Sequence, residues 1–88
     1  MQMLDIDIIS KGRYTWPFEG ITEREKHLAL LSGISEAVKV RTVSPGQYEI
    51  VGDPKAWYLA QAIQVHQTPI IEVDHLNKDE LLDLAQSA

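Results

Sequence analysis

The chain has 88 residues, of which 44% are apolar, and it contains no cysteine. This size supports one small hydrophobic core, so we predict a single domain over residues 1–88 and exclude disulfides, thiolate nucleophiles and cysteine-ligated zinc. The net charge of −5 is concentrated after residue 55, where one base stands against five acids, and this part of the chain is expected to repel polyanions.

The sequence gives no sign of a membrane or export segment. No apolar run approaches the roughly 18 residues that a membrane-spanning helix requires. The segment Met1–Asp5 carries an acid where a signal peptide carries bases. We therefore expect a cytoplasmic protein that makes no membrane contact.

The first predicted elements are a strand, a loop and a helix. Residues 3–9 alternate apolar and polar side chains, which predicts a half-buried strand. Residues 10–20 contain two glycines, a proline and three aromatics, which indicates an irregular loop. Thr22 and Glu25 have the spacing of a capping box, so a helix is predicted to begin there and to end near Gly33. Its predicted buried stripe comprises Leu28, Leu30, Leu31, Ile34 and Val38.

The middle of the chain predicts a hairpin followed by a helix. Residues 38–43 and 48–51 are strand-like and flank Pro45 and Gly46, a favoured pair for the centre of a turn. Gly52 then supplies a turn, Asp53 is predicted as N-cap and Pro54 as the first residue of a helix. This helix is predicted to run from Lys55 to about residue 66.

The last third predicts one more strand and one more helix. Residues 69–74 form a short run rich in β-branched side chains, and Asn77 with Glu80 has capping-box spacing. The final helix is predicted to use Leu81, Leu82, Leu84 and Ala85. The resulting order, β-α-β-β-α-β-α, predicts a small α+β (α/β-like) domain with a mixed β-sheet and helices packed on it.

The run from residue 38 to residue 73 resembles the N-terminal domain of ParB partition proteins, in the ParB/sulfiredoxin superfamily. The residues on which this resemblance rests are the strand Tyr48–Gly52 (Tyr-Glu-Ile-Val-Gly), the helix from Lys55 to Ala62, and Pro69-Ile70-Ile71. The resemblance implies a ParB/sulfiredoxin-like fold and a role in DNA segregation or in plasmid or phage DNA regulation. The implied partners are another protein or a following DNA-binding domain, with weak nucleic-acid contact.

The sequence departs from the family where the family binds CTP. ParB proteins that hydrolyse CTP carry arginines at this strand-to-helix junction, whereas the corresponding positions here are Pro54 and Lys55. A lysine is a point charge and cannot supply the bidentate clamp of an arginine. We therefore predict no CTP hydrolysis and no cofactor. Sulfiredoxin catalysis requires a cysteine, so it is excluded.

The candidate phosphate or nucleotide site comprises Gly52, Asp53 and Lys55. A helix N-terminus presents unpaired N–H groups and a positive dipole end to an anion. An N-cap carboxylate at Asp53 would occupy the same donors and repel phosphate. Two interpretations follow from the sequence, a weak anion site and a capped helix without a ligand.

A second set of residues is predicted to contact nucleic acid or a protein partner. In this set, basic side chains alternate with aromatic ones or project together from one face of a strand. This set is Lys11, Arg13, Tyr14, Trp16, Lys39, Arg41 and Trp57. In the alternative interpretation the aromatics fill the edge of the core and the bases are solvated. The histidines have no metal-ligand spacing, so no metal site is predicted.

The function that follows is a non-catalytic ParB-like module acting through protein contacts and weak nucleic-acid contacts. One alternative is an enzyme domain, either nucleotide-dependent or nuclease-like, the latter using Glu49, Asp53, Glu72 and Asp74. The other alternative is a purely protein-binding adaptor on the same fold.

Overall fold

The computed structural model describes residues 2–86. Over this range the chain forms five strands and three helices, with a three-residue 3₁₀ turn, Ile6–Ile8, between the first two strands. The strands are β1 (Gln2–Asp5), β2 (Ile9–Thr15), β3 (Val38–Ser44), β4 (Gln47–Gly52) and β5 (Gln67–Glu72); the helices are α1 (Glu23–Ser32), α2 (Lys55–Ala62) and α3 (Lys78–Gln86). None of these three helices is long and apolar enough to cross a membrane.

All five strands belong to one mixed sheet with the order β1-β5-β3-β4-β2. The pairs β1–β5 and β3–β4 are antiparallel, and β5–β3 and β4–β2 are parallel. The consecutive strands β1 and β2 therefore lie at opposite edges of the sheet. Four strand spacings amount to about 19 Å, whereas the four-residue step from Asp5 to Ile9 spans at most about 14 Å. The sheet must therefore curl so that its edges approach each other at this end.

Two hydrophobic clusters occupy the two faces of the curled sheet. The larger one consists of Ile9, Val38, Val40, Ile50, Ala56 and Ile70. The smaller one consists of Tyr14, Val51, Val73 and Leu81, and it joins the sheet to α3. Neighbouring residues Ile50 and Val51 are both fully buried and belong to different clusters. Strand β4 is thus covered on both faces, which fixes the position of the junction that follows it.

The N-terminal prediction was wrong in two respects. Residues 3–9 form β1, the 3₁₀ turn and the start of β2 instead of one strand, and residues 10–15 are strand instead of loop. The break occurs where the backbone N–H of Ile6 donates to the His66 carbonyl (2.9 Å) and the Trp57 Nε1–H donates to the Ile6 carbonyl (3.0 Å). His66 and Trp57 lie at least 50 residues from Ile6 in the sequence. The alternation of apolar and polar side chains over residues 3–9 therefore does not indicate these hydrogen bonds.

The boundaries of α1 are confirmed, but its predicted buried stripe is wrong at the three leucines. Val38 is buried in the larger cluster and Ile34 packs against it, although both lie beyond the end of the helix. Thr22 and Glu25 form a complete capping box, and Gly33 ends the helix with φ of 82°. Leu28, Leu30 and Leu31, however, are 49%, 60% and 71% exposed, and Ala29 is the buried residue of α1. Helical spacing identifies which side chains share a face, and it does not establish that another element covers that face.

The remaining elements match the prediction to within a few residues. The hairpin forms, with Gly46 at φ of 74°, and Asn77 and Glu80 exchange both capping-box hydrogen bonds (3.1 and 2.9 Å). Helix α2 ends at Ala62 instead of near residue 66. Gln64 then adopts a left-handed conformation (φ 62°), so the helix does not continue. The small α+β domain with a mixed sheet is confirmed.

Candidate anion site and contact surface

The strand-to-helix junction after β4 is built around Gly52. This glycine is buried and has φ of 82°, a conformation that favours glycine. The Trp16 backbone N–H donates to the Gly52 carbonyl (2.9 Å). A Cβ at Gly52 would lie 3.7 Å from the Trp16 ring, so the junction packs closely against the residues that follow β2.

The cap of α2 lies one residue later than predicted. Pro54 occupies the N-cap position with φ of −89° and ψ of 6°, and its carbonyl accepts from the N–H groups of Trp57 and Tyr58 (3.1 and 3.2 Å). The exposed Asp53 still serves the helix terminus, because its Oδ1 accepts from the Lys55 backbone N–H (2.9 Å). An anion approaching this end of α2 therefore meets a donor that is already occupied and a carboxylate that repels it.

The Lys55 side chain is bonded to a second carboxylate. Its Nζ lies 2.7 Å from Glu25 Oε2, which joins the first turns of α2 and α1. The lysine and the hydrogen bonds from Thr22 lower the pKa of Glu25 to about 2. Reciprocally, the hydrogen bond to Glu25 raises the pKa of Lys55. Glu25 thus completes the capping box of α1 and neutralises Lys55. The spacing in the sequence indicates the first role but not the second.

Three adjoining cavities, of about 170, 370 and 350 Å³, are each lined in part by Lys55. The charged residues that line them are Lys39 and Lys55 together with Glu19, Glu25, Glu36 and Asp53. Acids thus outnumber bases by four to two around this part of the surface. A triphosphate entering here would meet a net negative charge.

The predicted contact residues comprise basic side chains and aromatic side chains. Among the basic ones, Lys11 and Arg13 are exposed on edge strand β2, and Lys39 is exposed on β3. Lys11 Nζ lies 5.5 Å from the centre of the Tyr58 ring. Arg41 is less available because its Nε donates to Glu49 Oε1 (2.6 Å).

The predicted aromatic contact residues take part in internal packing. Tyr14 is 4% exposed and belongs to the smaller core cluster, which corrects its prediction as a contact residue. Trp16 is half-buried and its Nε1–H donates to the Leu84 carbonyl (2.7 Å). Trp57 is half-buried and packs against the larger cluster. A contact role for the exposed parts of Trp16 and Trp57 stays a prediction.

An aromatic pair that the sequence analysis did not identify lies beside this site. The rings of Phe18 and Tyr58 stack with centroids 3.8 Å apart and planes 6° from parallel, and Trp57 meets Tyr58 edge-on at 5.0 Å. Both Trp57 and Tyr58 are half-buried. The pair packs the loop after β2 against α2. In the sequence, only the aromatic content of the loop indicated such a contact.

The carboxylates considered for a nuclease site interact with different partners and do not share one. Glu49 is paired with Arg41. Asp74 accepts from the backbone N–H and the hydroxyl of Thr42 (both 2.7 Å), and these bonds lower its pKa. Within residues 2–86, no three histidine, aspartate or glutamate side chains are grouped so as to hold a metal ion.

Comparison with known proteins gives a match at the level of fold. No family model and no curated protein matches this sequence. Among solved structures, the C-terminally truncated chromosome-partitioning protein ParB from Caulobacter crescentus complexed with CTP-γ-S matches with a TM-score of 0.70 and 20% identity, covering 96% of this chain and 49% of that chain. The same protein complexed to the centromeric parS site matches with a TM-score of 0.66 and 23% identity, covering 97% and 44%. The chain thus has a ParB-like fold and spans about half the length of these structures.

Proposed function

We propose that this chain is a non-catalytic ParB-like module of a DNA segregation system, acting through protein contacts and weak contacts with nucleic acid. The ParB-like fold supports the assignment to segregation, since the matching structures are of a chromosome-partitioning protein complexed with CTP-γ-S or with its centromeric DNA site. The same fold hosts different functions, so the mode of action has to be argued from the site.

The observation that carries the proposal is the ion pair between Lys55 and Glu25 (2.7 Å). In a nucleotide-dependent domain, a base at the start of α2 would have to be available for phosphate. Here that base is neutralised by Glu25, and Asp53 accepts from the backbone N–H of the same residue. Any nucleotide would have to displace the Glu25 carboxylate from Lys55 and approach the Asp53 carboxylate. This requirement disfavours a CTP-dependent mechanism.

The nucleic-acid contact is assigned to the exposed bases of β2, Lys11 and Arg13. Each neutralised phosphate releases condensed counterions, and this release supplies most of non-specific affinity for duplex DNA. Two bases supply little of it, and the net charge of −5 opposes it. The contact is therefore weak and depends on salt.

We expect duplex DNA to bind with a Kd no tighter than roughly 10⁻⁴–10⁻⁶ M at physiological salt. Replacing both Lys11 and Arg13 by glutamine should weaken binding and reduce the slope of log K against log salt by up to about 1.8, since each phosphate contact contributes about 0.9. Fluorescence anisotropy over a salt series measures both quantities. Lys78→Gln, at an exposed base on the acidic helix α3, is the matched control and should change little.

Two results would contradict this assignment in different ways. A sequence-specific nanomolar complex formed by this chain would mean that it reads DNA by itself. Absence of binding even at low salt would instead favour the purely protein-binding adaptor.

A further inference from the structure

The two edges of the sheet are strands β1 and β2, and they differ in how they are protected against a further strand. An edge strand presents backbone N–H and C=O groups to other chains, and basic side chains or a bulge prevent pairing with them. Strand β2 has both devices, in the exposed Lys11 and Arg13 and in the irregular register against β4 between Lys11 and Thr15. Strand β1 has neither and pairs regularly with β5 along its whole length. The outer edge of β1 is therefore open to a strand from another chain.

An apolar groove lies beside this open edge. It has a volume of about 660 Å³, and Met3 and Asp5 of β1 line it together with their partners across the pair with β5. Its apolar lining consists of Met3, Ile34, Ile63, Val65 and Pro69. Successive side chains of a strand point to opposite faces of a sheet. A strand added beside β1 would therefore direct every second side chain toward the groove.

The strand edge and the groove have to act together in binding another chain. Strand β1 has only four residues, so its edge offers few backbone hydrogen bonds. Where a peptide adds to a sheet edge, these hydrogen bonds provide affinity and pockets for alternate side chains provide specificity. Met3 and Val65 are 45% and 39% exposed, and they offer apolar surface for such side chains. The ligand that fits is an extended segment with apolar side chains at alternate positions.

The carboxylates around β1 have no basic partner in the described part of the chain. Asp5 accepts from a neutral amide, Gln67 Nε2 (3.2 Å), and Glu72 accepts from Gln2 Nε2 (3.4 Å). Asp7 is exposed in the 3₁₀ turn that follows β1. None of these three carboxylates forms an ion pair within residues 2–86. Basic side chains on the added segment would supply the complementary charge.

We infer that the outer edge of β1 binds an extended basic segment of a partner protein, which adds to the sheet as a sixth strand. Its apolar side chains, at alternate positions, occupy the groove, and its basic side chains pair with the carboxylates around β1. The same carboxylates repel nucleic acid and anionic lipid. A second copy of this chain is also disfavoured, because pairing of two β1 edges would bring like charges together.

This inference deepens the protein-contact part of the proposed function and rests on it. It places protein and nucleic acid on different surfaces, because β1 and β2 stand at opposite ends of the strand order. The bases assigned to DNA, Lys11 and Arg13, lie on β2, whereas the carboxylates that would bind the segment surround β1. The two contacts can therefore be tested separately.

Binding of synthetic peptides tests the inference. The probe is a fluorescein-labelled peptide in which valine and lysine alternate over about eight residues, and fluorescence anisotropy should give a Kd of about 100 µM or tighter. One control peptide has glutamate in place of lysine. The other keeps the lysines and carries methyl groups on its backbone nitrogens, which removes the donors that strand pairing requires. Both control peptides should bind at least about ten-fold more weakly.

Two protein variants with nearly equal exposure locate the binding surface. Met3 and Val43 are exposed to 45% and 46%. Met3→Lys removes an apolar side chain from the groove and adds a charge that repels the peptide, so it should weaken binding at least about ten-fold. Val43→Lys adds the same charge on the hairpin and should change binding little. Both side chains are exposed, so circular dichroism should show that both variants fold.

NMR shift mapping on the wild type separates this contact from the DNA contact. The valine–lysine peptide should shift the amides of residues 2–5 and 63–68, and duplex DNA those of residues 11–13. Three results would each overturn the inference: no peptide binding at about 1 mM, equal binding of the methylated peptide, or equal weakening by Met3→Lys and Val43→Lys. If DNA still shifted residues 11–13 in that case, the proposed function would stand without the inference.

Discussion

Trp57→Ala is expected to lower the free energy of unfolding by about 3 kcal/mol, at the lower end of the range for removing a tryptophan because this ring is half-buried. The ring packs against the larger core cluster, and its Nε1–H donates to the Ile6 carbonyl (3.0 Å) in the crossing between β1 and β2. Domains of this size have a total stability of about 4–13 kcal/mol. Urea denaturation followed by circular dichroism measures the change.

Trp57→Phe separates the two contributions of this side chain. Phenylalanine keeps an aromatic ring in the core and removes the donor, so the expected loss is only about 0.5–1.5 kcal/mol. If the alanine variant lost no more stability than the phenylalanine variant, the ring would not belong to the core, and the curled arrangement of the sheet edges would be in doubt.

Trp16→Ala is expected to lower the free energy of unfolding by about 3 kcal/mol and to loosen α3 in particular. The Trp16 ring packs against Gly52, and its Nε1–H donates to the Leu84 carbonyl (2.7 Å) in the last turns of α3. Removing it leaves that carbonyl without this donor and opens the packing beside the smaller cluster. Amide hydrogen exchange should show the largest loss of protection in residues 78–86.

Trp16→Phe is the control, since it removes the donor and preserves most of the packing. It should reduce protection in α3 with a smaller loss of global stability. Uniform loss of protection across the domain in the alanine variant would contradict a specific connection between Trp16 and α3.

Local signals in the sequence were sufficient for the ends of most elements. Thr22 with Glu25, and Asn77 with Glu80, form capping boxes because both partners lie within one helical turn of each other. Gly46 determines the hairpin turn for the same reason. Where the partners are separated by three or four residues, the sequence contains the whole interaction.

Interactions over long sequence distances were not accessible in this way. The alternation of residues 3–9 predicts extended backbone and does not indicate that the chain changes from one sheet edge to the other at Ile6. The spacing of the α1 leucines does not establish that they are buried. At the candidate site the sequence predicted Asp53 as a competitor of phosphate, but the pairing of Lys55 with Glu25 depends on how α1 and α2 pack.

We propose that Asp53 and Glu25 close the N-terminus of α2 to nucleotide, and NMR titration with CTP and Mg²⁺ tests this closure. The amides of residue 53 and residues 55–57 report on the site, and Glu25→Gln is the informative variant. Glutamine keeps the capping-box acceptor and releases Lys55. Lys55→Ala removes the base and is the control.

For the wild type, we expect a Kd for CTP weaker than about 1 mM. Glu25→Gln should bind CTP few-fold more tightly, since a charge at a helix terminus is worth about 0.3–1 kcal/mol. Lys55→Ala combined with Glu25→Gln should abolish that gain. Micromolar binding of CTP by the wild type, unchanged in Glu25→Gln, would show that these carboxylates do not close the site.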